Sequence, residues 1–80
     1  MMKLLDVRGL KCPLPIVKAK KEIDGLPVGD QLQVIATDPG SMADFRGWAK
    51  TSKYASLLDQ HEDMDDGGRR VFVHLLERTK

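Results

Sequence analysis

A chain of 80 residues with 41 % hydrophobic, 31 % charged and 5 % aromatic content and a formal net charge of +1 has the composition of one small soluble globular domain, residues 1–80. That composition excludes a disordered polymer and a membrane-embedded chain: Met1-Met2-Lys3-Leu4-Leu5-Asp6-Val7-Arg8 meets charge before a signal-peptide core can form, and no apolar run approaches spanning length. A single cysteine excludes an intramolecular disulfide framework and leaves a free thiol suited to a reducing compartment, so a cytoplasmic location is expected.

Leu4 to Arg8 reads as a strand with Leu5 and Val7 on one face and Asp6 and Arg8 on the other, and Gly9 frees the backbone to turn. A helix follows, with Ile16, Val17, Ala19 and Ile23 as its apolar stripe, Lys18, Lys21 and Glu22 toward water, and Gly25 as its stop. Leu26-Pro27-Val28-Gly29-Asp30 is a turn. Gln31 to Thr37 alternates, with Leu32, Val34 and Ala36 on one face. Asp38-Pro39-Gly40-Ser41 breaks that strand and opens a second helix, capped by Asp38 or Ser41. Ser41 with Asp44 resembles a weak capping box, and Met42, Phe45, Trp48 and Ala49 form the buried stripe. Tyr54 to Glu62 and Arg69 to Arg78 read as two strands joined by Asp65-Asp66-Gly67-Gly68, a sequence with hairpin chemistry, and Val71, Val73 and Leu75 are expected to face the core.

The order strand, helix, strand, helix, strand, strand predicts a βαβαββ two-layer α/β sandwich. A right-handed crossover makes the first two strands parallel and a hairpin makes the last two antiparallel, giving a mixed four-stranded sheet with two helices on one face. Cys12 then falls at the C-terminal end of the first strand, where such folds expose functional groups.

The setting of Cys12 points to a reactive thiol. Pro13 suits the first helical position, which makes Cys12 the N-cap, facing backbone donors and the positive end of the helix dipole. Pro15 at the third position has no N–H, so the donors expected for the sulfur are those of Leu14 and, less directly, Ile16. Free cysteine ionises near pH ~8.5; a helix N-terminus with nearby cations brings this to roughly 3.5–7.5, and the upper part of that range is expected for Cys12. Arg8, Lys11, Lys18, Lys20 and Lys21 occur between Arg8 and Lys21 with no acid among them, whereas Asp59, Glu62, Asp63, Asp65 and Asp66 occur between Ala55 and Asp66 with no Lys or Arg. Arg8, Lys11, Pro13, Pro15 and Lys18 are therefore the expected thiolate-stabilising or partner-docking residues around Cys12. With no second cysteine there is no resolving thiol inside the chain, so a group carried on Cys12 must leave to another molecule.

Leu5-Asp6-Val7-Arg8-Gly9-Leu10-Lys11-Cys12-Pro13-Leu14-Pro15 closely resembles the Cys-Pro-x-Pro signature of the TusA-like (SirA/TusA) sulfur-carrier family, and element order and length match along nearly the whole chain. Asp38-Pro39 also sits where family members carry a similar pair. The resemblance implies a sulfur carrier or sulfurtransferase that accepts sulfane sulfur on Cys12 from a cysteine desulfurase or rhodanese and passes it to an acceptor protein such as a DsrE/TusD-like carrier. Leu14 departs from the Glu found between the prolines in the members best known for tRNA 2-thiolation, which sets sulfur oxidation beside tRNA thiolation as the pathway.

Other chemistries are less well supplied. Hydrolysis by a cysteine needs a neighbouring base, but His61 lies in the acidic segment and His74 on the last strand. One cysteine with these two histidines has no recognised metal-ligand spacing, so neither a metal nor another cofactor is expected. A nucleic-acid module using Arg8, Lys18, Lys20 and Lys21 is opposed by the near-zero net charge, the acidic second half and the few aromatics. A thiol redox regulator would use the same cysteine but end at sulfenate or a mixed disulfide. A monomer is expected, because a carrier must present its sulfur to successive partners.

Overall fold

The computed structural model describes residues 2–11 and 14–80. Six elements follow one another: β1 (Met2–Asp6), α1 (Leu14–Asp24), β2 (Gln31–Ala36), α2 (Ser41–Thr51), β3 (Ala55–Met64) and β4 (Arg70–Arg78). They form one sheet in the order β1-β2-β4-β3, with β1 parallel to β2 and the other pairs antiparallel. This is the expected mixed sheet. β2 lies inside it because its alternation supplies a fully apolar face: Leu32, Val34 and Ala36 are each 0 % exposed.

Both helices cover that face. Ala19 and Ile23 of α1, Phe45 of α2, Val7, the three β2 residues and Leu76 make one buried cluster. Burying side chains the size of Phe45, Ile23 and Leu32 stabilises by roughly 1.5–3 kcal/mol each. The stripe of α1 runs through Pro15, Ala19 and Ile23, at successive fourth positions. Val17, expected in that stripe, is 55 % exposed because it lies off this row, and Ile16 packs at its margin. Trp48 is half-buried against the core, edge-on to Phe45 and to Tyr54 at centroid distances of 6.5 and 6.2 Å.

The phase of β4 differs from the sequence expectation. Leu32 pairs with Leu76, Val34 with His74 and Ala36 with Phe72, so Phe72, His74 and Leu76 face the helices. Val71, Val73 and Leu75 lie on the opposite sheet face with Gln33 and Ile35, where Val71 and Val73 are nonetheless buried, 3 % and 5 % exposed. Val71 to Leu76 is apolar at every position except His74, so alternation alone does not choose the inward set. His74 is inside because its polarity is satisfied there. The Gln60 amide nitrogen donates to its Nδ1 at 3.0 Å and to the Met42 carbonyl at 2.8 Å, and Nε2 lies 3.0 Å from the Ser41 hydroxyl. With Nδ1 accepting, the ring proton belongs to Nε2, which donates to Ser41 Oγ. Phe45 stacks on the ring at 4.4 Å.

That network also corrects the expected cap of α2. The N-cap is Gly40 and no side chain caps it; the Ser41 hydroxyl is turned inward to His74. Asp38 instead folds the preceding turn, its carboxylate accepting from Gly40 N–H at 3.0 Å and its carbonyl from Ser41 N–H at 3.0 Å. The hairpin is built as its residues suggest: Asp65 accepts from the N–H groups of Gly67 and Arg69 at 3.0 and 2.8 Å, and Gly68 takes a φ of 77°. At the other end of β4, the Arg78 guanidinium donates to the carbonyls of Ile23, Asp24 and Leu26 at 3.2, 2.9 and 2.6 Å, tying β4 to the end of α1, where the Ile23 carbonyl also accepts from Leu26 N–H at 3.0 Å.

Candidate functional site

The parallel strands β1 and β2 end side by side, and the loops that leave them form the candidate site. Val7 N–H extends the pairing by donating to the Ile35 carbonyl at 2.9 Å. Gly9 then turns the chain with a φ of 84°, and its N–H donates to the Thr37 hydroxyl at 2.9 Å. Leu10 N–H closes back onto the Val7 carbonyl at 3.2 Å. These bonds fix the loop after β1 against the loop after β2. Between them lies an open groove of about 390 Å³ lined by Gly9, Leu10, Lys11, Thr37, Asp38 and Pro39. Crevices beyond the C-terminal ends of parallel strands are where open α/β sheets place their ligands and reacting groups.

Lys11 is exposed on this groove and is the residue before Cys12 in the chain. The expected N-cap position of Cys12, and that of Pro13 at the first helical position, lie outside the described residues. Across them, Leu14 N–H donates to the Lys11 carbonyl at 2.9 Å. That corrects one expectation: the Leu14 donor assigned to the sulfur is already taken by a carbonyl. Pro15 is buried under α1 and anchors the start of the helix, while Lys18 is exposed on its outer side. α1 has no acidic residue in its first turn and Lys21 in its last, so its charges complement the dipole at the C-terminal end and leave the N-terminal positive end uncompensated.

Arg8 sits differently from the other expected site residues. Its guanidinium donates to both oxygens of Asp6, at 2.9 and 2.8 Å, and to Asp65 at 3.2 Å, so its charge is matched by two carboxylates. The Arg8 hydrogen bonds hold the Asp6 carboxyl below the usual carboxylate range. Asp65 is held low first by the Arg69 N–H, with Gly67 N–H and Arg8 adding to it. Arg8 thereby ties the loop after β1 to the β3–β4 hairpin. The structure brings Lys11 to the groove with Thr37, Asp38 and Pro39, whereas Arg8 turns to the other sheet face.

Thr37 on the groove, and Asp65 as the distant partner that holds Arg8 away from it, are the residues missed in the sequence. Thr37 had a weak signal, a hydroxyl where β2 gives way to its loop. Asp65 had none, since its partner is 57 positions away.

His61 is exposed on β3 with Nδ1 3.0 Å from Asp59. His74, wholly buried, has its pKa lowered from 6.5 to about 4, chiefly by burial and secondarily by the charge of His61. It is a neutral core group at neutral pH.

Among the described residues, no helix is long and apolar enough to cross a membrane.

The family model for sulfurtransferase TusA matches residues 3–74. A candidate sulfur carrier of Halobacterium salinarum is 46 % identical over 76 residues, covering 95 % of this chain and 88 % of that one. The sulfur carrier protein TusA of Allochromatium vinosum is 44 % identical over 69 residues, 86 % of each chain. The crystal structure of a SirA-like protein from Desulfitobacterium hafniense superposes with a TM-score of 0.71 over the full length of both chains; at 22 % identity it speaks for the fold.

Proposed function

This chain belongs to the TusA sulfurtransferase family, and from that premise we propose that it is a sulfur carrier holding sulfane sulfur as a persulfide on Cys12. The observation that carries the reading is the sequence Lys11-Cys12-Pro13-Leu14-Pro15, between a loop pinned at the C-terminal edge of the sheet and a helix with no acid in its first turn. A helix N-terminus free of acids and a neighbouring lysine both favour an anionic sulfur.

The chemistry is thiol–persulfide exchange. The Cys12 thiolate attacks the outer sulfur of a persulfide on the donor. A sulfur–sulfur bond forms as another breaks, and the donor cysteine leaves as a thiolate. On delivery, an acceptor thiolate attacks the outer sulfur on Cys12 and Cys12 departs as the thiolate; no net oxidation occurs in either step. A sulfur ionised near neutral pH serves both as attacking and as leaving group. A cysteine desulfurase or a rhodanese is the donor class, and a DsrE/TusD-like carrier an acceptor class; sulfur oxidation and tRNA thiolation are the two settings, in a cytoplasmic monomer. Thr37 and the Asp38-Pro39 turn form the groove wall facing Gly9, Leu10 and Lys11, the surface on which a partner would meet the chain beside Cys12.

Incubation with a cysteine desulfurase and cysteine, or with a rhodanese and thiosulfate, is expected to give cyanide-labile sulfur approaching one per chain, with none on Cys12→Ser. Equal labile sulfur on the two proteins would refute the assignment.

A further inference from the structure

The sheet face opposite the helices carries a second, acidic-rimmed apolar groove. Ile35, Val71 and Val73 form its floor, the two valines only 3 % and 5 % exposed, and the groove is about 300 Å³ in size. Leu4 and Met64 stand at its lips, 60 % and 65 % exposed. Among the described residues, Asp6, Asp63, Asp65 and Asp66 line it, with Arg8 as the one cation. Arg8 is held by Asp6 and Asp65. Among the described residues, Asp63 and Asp66 form no salt bridge.

We propose that this groove is a docking surface for a partner protein that presents an arginine or lysine flanked by apolar side chains. Charge selects the occupant. An apolar patch with a polar rim is the layout of a protein interface, and Leu4 and Met64 leave apolar surface uncovered beside the acidic rim. A long cationic side chain can lay its aliphatic stem against Leu4, Ile35 and Met64, over the buried valines, while its head meets Asp63 and Asp66. The same carboxylates repel a phosphate backbone or an anionic lipid surface. The groove lies on the sheet face away from α1, so occupancy leaves the outer side of that helix free. Its partner therefore differs in charge from one attracted to Lys18 and Lys21. Docking rests on the sheet and its rim, and it is independent of sulfur on Cys12.

The test is a titration of the isotope-labelled full chain with a short peptide of alternating leucine and arginine, followed by amide shifts, with a leucine and glutamate peptide as the control. The expected result is saturable shifts at Leu4, Gln33, Ile35, Val71, Val73 and Met64 with the arginine peptide alone. Asp63→Lys combined with Asp66→Lys, at exposed positions, is expected to weaken binding by about tenfold or more, and Leu4→Ser to weaken it with both aspartates intact. Cys12→Ser is expected to bind as the unaltered chain does, which separates failure of this proposal from failure of the persulfide reading. Shifts confined to the loop after β1 or to α1, equal binding of the glutamate peptide, loss of binding in Cys12→Ser, or concentration-dependent dimerisation moving the same amides would each overturn it.

Discussion

Acidification is expected to destabilise this fold through His74 well before the carboxylates titrate. Its ring is wholly buried among Phe45, Ser41 and Gln60, and burial first, then the charge of His61, lowers its pKa from 6.5 to about 4. Above pH 6.5 the imidazole is neutral in folded and unfolded chains alike and the linkage costs nothing. As pH falls from 6.5 toward 4 the unfolded chain binds a proton that the folded chain refuses, so unfolding becomes progressively easier. One pKa unit corresponds to 1.36 kcal/mol, so the full effect is about 3 kcal/mol, of which about 2 kcal/mol is lost by pH 5. That is a large share of the stability of a small domain. Urea unfolding at a series of pH values between 7.5 and 4.5 measures it, with His74→Gln and His61→Gln as companions. The unaltered protein and His61→Gln are expected to show the loss, and His74→Gln to be nearly flat over the same range. A flat profile for the unaltered protein, or the same slope in His74→Gln, would refute the buried neutral imidazole.

Leu76→Ala is expected to cost about 2–5 kcal/mol, because a fully buried side chain is replaced by a cavity, whereas Leu75→Ala on the other face should cost at most about 1.5 kcal/mol. Urea unfolding of the two variants decides the phase of β4, and the reverse ranking would put Leu75 in the core. Arg78→Met keeps much of the side-chain stem but removes the donor to three carbonyls at the end of α1, at a cost of about 1–3 kcal/mol. Hydrogen exchange should show the loss concentrated in the last turn of α1 and the Leu26–Asp30 turn; uniform acceleration across the sheet would refute the capping role.

Where one residue type or one period decides a structure, the sequence was enough. β2 is legible from Leu32, Val34 and Ala36, the hairpin from Asp65-Asp66-Gly67-Gly68, and the mixed sheet from the order of the elements. β4 was not, because Val71-Phe72-Val73-His74-Leu75-Leu76 offers apolar groups to both faces; the choice is made by Ser41 and Gln60, which supply partners for His74 on one face only. Ser41 read as a cap because local hydrogen bonding is all that a short window reveals. Lys11 was found at the site edge from its neighbours in the chain. The charge of Arg8 is matched first by Asp6, two residues away on the same strand face and open to a sequence reading, and then by Asp65, which reaches it only after the sheet has formed. Val17 is two positions from both Pro15 and Ala19, about 160–200° around the helix from the buried row, and so faces outward.

The central claim is that sulfur enters and leaves this protein at Cys12. Intact mass measured after loading by a desulfurase, and again after a chase with an acceptor thiol, tests it most directly. A gain of one sulfur atom that the acceptor or a reductant removes is expected, with Cys12→Ser unchanged throughout. No gain from any donor, or the same gain in Cys12→Ser, would contradict it.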